Sequence, residues 1–295
     1  MIRKRSIALL GWGAILVLLA PVLHTLWVSF SPDSFLTPPT NVWSLKWYQA
    51  FVQDRRWVSA VLHSLVVAGL AAALAVMAGV ATALSLDQLP RARQRLLKIL
   101  LLLPALIPPA ALGFALLPLV FYTGLWGTTL VMVLVHATVG LPIAFLIIRS
   151  CLFSQLRELE AAAAGLGASQ WTVLQRVTLP LLAPVLLAAG SAVFVVSLNE
   201  SVVSIFLATP TNETLPAVVW PQLRYAPSPM VAVASCVTAV IGMIGLLIVH
   251  RMLIGQGGGL PINGTSASRI RNSGVRSDPP FATGSDGRGS SEVTV

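Results

Sequence analysis

Six long apolar stretches alternate with shorter polar ones along this 295-residue chain. They run over Ser6–Phe30, Val58–Leu86, Ile99–Tyr122, Thr128–Ile148, Leu181–Ala208 and Met230–Val249. A helix rising ~1.5 Å per residue needs about 20 residues to cross a hydrocarbon core about 30 Å thick. The pattern therefore predicts an all-α membrane protein with six transmembrane helices. Only one formal charge, Glu200, falls inside these stretches. A bilayer imposes that segregation, because a charge at its centre costs at least ~2.5–3.5 kcal/mol.

Composition agrees: 56% of residues are apolar and 10% are charged, against about 25% charged in soluble domains. An ordinary cytosolic enzyme is excluded. The net charge of +9 does not point to nucleic acid, because the basic residues lie between apolar runs and form no patch. Cys151 and Cys236 suggest neither a disulfide framework nor a metal site. The first apolar run follows Arg3, Lys4 and Arg5 but continues to Phe30. A cleaved signal has a core of about 7–15 residues, so this run reads as an anchor. With a cytoplasmic N-terminus, inner segments carry 15 Lys and Arg and outer segments four. By the positive-inside rule both termini are then cytoplasmic. The expected organisation is a cytoplasmic N-terminus at 1–5, a membrane domain at 6–250, and a flexible cytoplasmic tail at 251–295. That tail is rich in Gly, Ser, Pro and Asn from Gly255 onward.

Within the spans, Pro104, Pro108, Pro109 and Pro118 crowd the third and Pro142 interrupts the fourth. They fit either a kinked, bundle-facing helix or a break lining a substrate path. His24, His63 and His136 lie on three different spans without a neighbouring carboxylate, and read as hydrogen-bonded packing residues.

No catalytic constellation is present: the chain has no G-x-S-x-G, H-E-x-x-H, C-x-x-C or phosphate-cradling G-x-x-x-x-G-K. Any ATP-driven step must be powered by another chain. The longest inner loop, 149–180, holds the informative segment. Gln155–Ala164 is built of strong helix formers. Gly165 and Gly167 offer the left-handed backbone of a helix stop. Ser169 is a natural N-cap for a second short helix through Arg176, which displays Trp171, Val173, Leu174 and Val177. Pro180 opens the fifth span. Two helices at a tight glycine turn form a rigid knob able to pass force to a docked partner; the alternative is a connector lying on the membrane surface.

Ala161-Ala162-Ala163, Gly167, Val177, Leu179 and Pro180 resemble the EAA loop of the membrane permeases of ABC importers, E-A-A-x3-G-x9-I-x-L-P, with the motif's Glu falling on Ala161 and Glu160 just upstream. Leu45-Lys-Trp-Tyr48, His63-Ser-Leu65 and Ser197-Leu-Asn-Glu-Ser-Val-Val203 are similar to the polyamine/opine/phosphonate branch, in particular the spermidine/putrescine permeases of the PotC type. The resemblance spans roughly residues 1–250. It implies the MetI-like fold of type I importers in the bacterial inner membrane. It also implies partners: two copies of an ATPase that uses ATP and Mg, a second permease subunit, and a periplasmic solute-binding protein. The chain itself would bind no cofactor and make or break no bond. The loop would be the coupling helix that docks on the ATPase, through Glu160, Ala161–Ala163, Gly167, Ser169, Trp171, Val177, Leu179 and Pro180.

Glu200, the intramembrane acid, is a functional candidate by default. Ser197, Ser201 and Ser204 lie at i, i+4 and i+7 on the fifth span, with Asn199 beside them. That stripe suits a pathway for a cation such as a polyamine; a structural Glu pairing with a second permease subunit is the other reading. The related polyamine permeases carry two acids where this chain has Asn199-Glu200, so an aminoethylphosphonate, an opine or another small solute stays open. An ATPase-independent channel or secondary transporter, and an intramembrane enzyme, are the competing classes.

Overall fold

The computed structural model describes residues 2–152 and 154–255, and among them no strand occurs. Twelve helices follow one another: α1 (Ile2–Val28), α2 (Lys46–Gln53), α3 (Arg55–Ser85), α4 (Arg91–Leu106), α5 (Pro109–Tyr122), α6 (Thr129–Ser150), α7 (Ser154–Gly165), α8 (Gln170–Val173), α9 (Leu179–Asn199), α10 (Val202–Leu207), α11 (Leu215–Tyr225) and α12 (Pro229–Gly255). Among the described residues five helical stretches are long and apolar enough to cross a membrane, or six if the bent α4–α5 pair counts as one span. The tail expected from 251 onward lies, from 256, outside the described residues. Arg251 itself continues α12.

The bundle is organised by small residues. Ala72, Ala75 and Ala83 of α3 pack with Ala144, Phe145 and Ile148 of α6 and with Ala189 and Val193 of α9, all buried. Lipid offers no hydrophobic drive between helices, so close backbone approach supplies the contact energy. Gly79 is tight in the same way, with its absent Cβ 3.3 Å from the Phe145 amide nitrogen. One end of the bundle collects larger side chains. Phe51, Trp57, Leu215, Val218 and Val233 form a second cluster there, and Ser29 after α1 hydrogen-bonds Tyr48 of α2 at 2.9 Å.

Two spans differ from the expected continuous helices. The third, expected over Ile99–Tyr122, is two helices meeting at 104°. Ile107, held extended by the following proline, and Pro108 both leave helical backbone (φ −84°, ψ 129° and φ −55°, ψ 132°). Pro109 then restarts the chain as the first residue of α5, where its missing N–H costs nothing. The fifth span, expected over Leu181–Ala208, breaks at Glu200 (φ −73°, ψ 98°). No proline or glycine lies at that break. Instead polar side chains take over backbone partners: the Asn199 Nδ2 donates to the Val195 carbonyl at 2.8 Å, and the Val203 N–H donates to Glu200 Oε1 at 3.0 Å. Pro142, by contrast, does not interrupt its span, since α6 runs unbroken from Thr129 to Ser150.

Candidate functional site

At the end opposite the aromatic cluster, α7 and α8 form a helical hairpin. Alanines and glutamates favour helix in α7, and a backbone motif stops it. Gly167 sits at φ +86°; its N–H donates to the Ala164 carbonyl at 2.9 Å, and that of Ala168 to the Ala163 carbonyl at 3.2 Å. This pair of bonds is the Schellman arrangement, and the left-handed residue it requires is most easily a glycine. Gly165, also expected as part of the stop, remains within α7. Ser169 caps the next helix, accepting from the Thr172 N–H at 3.2 Å.

The second helix does not end near Arg176 to form a separate limb. It passes through a π-helical segment, Leu174–Thr178, directly into α9. Pro180 and Pro184 cannot donate to the ladder, and the wider turn keeps the chain helical there: the Leu179 N–H reaches back five residues to the Leu174 carbonyl. From Gln170 to Asn199 the hairpin limb and the membrane span are one helix.

The tip presents apolar surface. Leu166 is 90% exposed and Trp171 64%. Leu166 has no role in the motif reading, although its place between two glycines marks the outermost point of the turn. Ala161, Ala162, Gly167, Ser169 and Pro180 are exposed too, while Ala163, Val177 and Leu179 are half-buried. Glu160 faces inward: its Oε1 accepts from the Thr178 hydroxyl at 2.5 Å. Its carboxylate thus ties α7 to the π segment, and does not present itself outward in place of the motif's Glu at Ala161. A second tie joins α7 to the foot of α3. Asp87 accepts two hydrogen bonds from Arg149 at 2.7 Å each and a third from Arg157 of α7.

The Glu200 region forms a separate polar site. Buried His136 on α6 bridges the break, with Nδ1 at 2.7 Å from Ser197 Oγ and Nε2 at 3.0 Å from Ser204 Oγ. Two members of the serine stripe expected along a continuous helix, Ser197 and Ser204, therefore meet on one imidazole, and Ser201 does not join them. Ser201 is the residue before α10, and half-buried Glu200 supplies the side-chain oxygen that accepts from the Val203 N–H in its first turn. Asn199 faces elsewhere, lining a cavity of about 430 Å³ between α9, α11 and α12 that also includes Ser235 and Thr238. His63 reads as expected, bonded to Thr129 at 3.0 Å; His24 is exposed, with no hydrogen bond from its ring among the described residues. No group of His, Cys, Asp and Glu suited to a metal occurs among the described residues.

A many-pass apolar helical bundle with a helical hairpin hung from one end is the architecture of an integral membrane protein. Residues 75–253 match the family described as "Binding-protein-dependent transport system inner membrane component", and the chain belongs to that family. It is 28% identical over 252 residues to the putrescine transport system permease protein PotI of Escherichia coli (strain K12), covering 80% of this chain and 89% of that protein. To the spermidine/putrescine transport system permease protein PotC of the same organism it is 28% identical over 200 residues, covering 68% and 75%. A chain in the crystal structure of a bacterial alginate ABC transporter, in complex with alginate pentasaccharide-bound periplasmic protein, matches with a TM-score of 0.67. The identity there is 14%, over 93% of this chain and 96% of that one, and the likeness concerns the fold. The chain is thus a non-enzymatic, multi-pass inner-membrane permease of the PotC-like branch of ABC importers for small solutes, a family that works with an ATPase and a binding protein.

Proposed function

We propose that this chain moves a polyamine, putrescine or spermidine, from periplasm to cytoplasm by alternating access, driven through the α7–α8 hairpin by a separate ATPase. In this reading the hairpin and both termini face the cytoplasm. Two ATPase copies consume ATP and Mg, a second permease subunit completes the pathway, and a periplasmic binding protein delivers the solute. The observation that carries the reading is the hairpin itself. It combines an exposed Leu166 and Trp171 with a glycine-locked turn and a limb continuous with a membrane span. An apolar tip on a stiff support is suited to a groove on a moving partner.

Co-purification tests this directly. In cells expressing the chain with its ATPase, Leu166→Asp combined with Trp171→Ala is expected to lower ATPase recovery by about ten-fold or more, since buried aromatic anchors commonly cost 2 kcal/mol or more when truncated. Undiminished recovery would remove the hairpin from the coupling role.

The polyamine assignment draws support from PotI and PotC and from Glu200. Glu200→Gln keeps a carbonyl oxygen for the Val203 N–H, so α10 retains its cap while the charge disappears. Uptake of radiolabelled putrescine is expected to fall about ten-fold at unchanged protein yield, the scale of one hydrogen bond to a charged group. Equal uptake by both proteins would show that Glu200 does not read a cation.

A further inference from the structure

Between α7 and the foot of α3 lies a cleft of about 280 Å³, lined by Ala83, Gln88, Leu156, Arg157 and Glu160 among others. α7 packs chiefly on α8 and the π segment, so the cleft leaves it separated from α3 along much of its length. One group spans the gap. The Asp87 carboxylate, just past the end of α3, accepts from Arg149 at the end of α6 through Oδ1 and Oδ2 at 2.7 Å. Oδ2 also accepts from Arg157, on the first turn of α7. Arg149 is anchored further by donating to the Ala83 carbonyl at 3.3 Å. The Arg149–Asp87 pair is partly shielded, each side chain about 30% exposed, whereas Arg157 is 61% exposed. Two arginines fix the carboxylate's geometry from different elements, the arrangement in which a partly exposed ion pair has a defined direction. The hairpin therefore has two attachments: Glu160 to Thr178, which leads into α9, and Arg157 to Asp87, which leads into α3 and α6.

We propose that Asp87 is a positioning residue for coupling, its carboxylate, shared by Arg149 and Arg157, being the link through which movement of the hairpin reaches the α3–α6 pair. This rests on the hairpin's role as the ATPase-docking element. Without the link a push on the hairpin reaches α9 through the continuous helix and α6 only through the short backbone connection before α7, and α3 loses its direct polar tie to the motion.

The test uses the complete importer in lipid nanodiscs, with Cys151→Ala and Cys236→Ala and nitroxides on Glu158→Cys (α7) and Met77→Cys (α3). Pulsed electron resonance then gives the α7–α3 distance without nucleotide and after trapping with ATP and vanadate. The parent is expected to keep one narrow distribution in both states. Asp87→Asn and Arg157→Gln should each broaden it on trapping, and the double variant should be no broader than either single one. Asp87→Glu, which keeps a carboxylate, should restore the narrow distribution. In sealed proteoliposomes carrying the same variants, ATP hydrolysed per putrescine imported should rise about five-fold for Asp87→Asn, the scale of a partly exposed ion pair. A distribution in Asp87→Asn as narrow as in the parent overturns the proposal and leaves hairpin docking untouched. Docking itself fails by a different result, undiminished ATPase recovery with the tip variants. Should Asp87→Asn not fold, Arg157→Gln decides the matter, because it leaves the Arg149–Asp87 pair in place.

Discussion

Replacing Gly167 by valine is expected to cut uptake about ten-fold or more in a chain that still inserts, and asparagine at the same place is expected to do far less. Gly167 holds φ +86°. Left-handed backbone costs an ordinary residue roughly 1–2 kcal/mol, and a β-branched one more, while asparagine tolerates it. Crowding by more distant parts of the chain does not add to this local cost at the Cβ, which would meet nothing within 4 Å beyond its own chain neighbours. The strain must be released at the turn, which lies on the surface away from the α3–α6–α9 core. So the Schellman bonds open and the tip loses its fixed direction, while the bundle stays intact. Gly167→Asp should fall between the two, with its charge placed at the proposed docking face. Uptake assays beside ATPase co-purification would check the series. A valine variant that equals the parent in both would mean that the turn's geometry is irrelevant to transport.

Gly140→Ala should instead damage the bundle itself, lowering stability by about 1–3 kcal/mol, the usual cost of overpacking a filled core. A Cβ on Gly140 of α6 would run into Val193 Cγ1 on α9 and crowd its Cγ2 at 3.3 Å. Val193 is fully buried and β-branched, with a stiff side-chain torsion, so the clash is relieved chiefly by moving the helices apart. Val193→Ala in the same chain removes those methyl groups and should recover most of the loss. Thermal unfolding in detergent, followed by loss of the monodisperse fraction, measures both. If Gly140→Ala alone melts with the parent, α6 and α9 do not cross as closely as described.

How far these features could be read from the sequence depends on how local their causes are. Spans are legible because twenty apolar residues carry the signal together. Prolines 108 and 109 mark a disruption, but α5 is held at its 104° angle by packing against α10, which lies roughly ninety residues further on. The break at Glu200 has no proline or glycine; its only trace in the sequence is the polar triplet Asn199-Glu200-Ser201 within an apolar run. Pro180 looks like a helix start, yet the preceding turn widens and the helix continues through it. At the hairpin, Gly167 and Ser169 are readable because stop and cap are chemistry between near neighbours. Leu166 is less so, since exposure is a property of the fold. Asp87 meets Arg149 and Arg157 at separations of 62 and 70 residues. In one sequence nothing marks those three charges as partners. The direction of Glu160 is equally hidden, because only the placement of Thr178 turns it inward.

In the proposed mechanism the unbroken helix from Gln170 to Asn199 acts as a lever. Its 30 residues reach about 45 Å at ~1.5 Å each, so a tilt of about 5° swings the far end by about 4 Å, comparable with the width of a small solute. That far end stops just short of Glu200, where the helix is already interrupted by extended backbone, so the swing can be taken up there without unwinding a further turn.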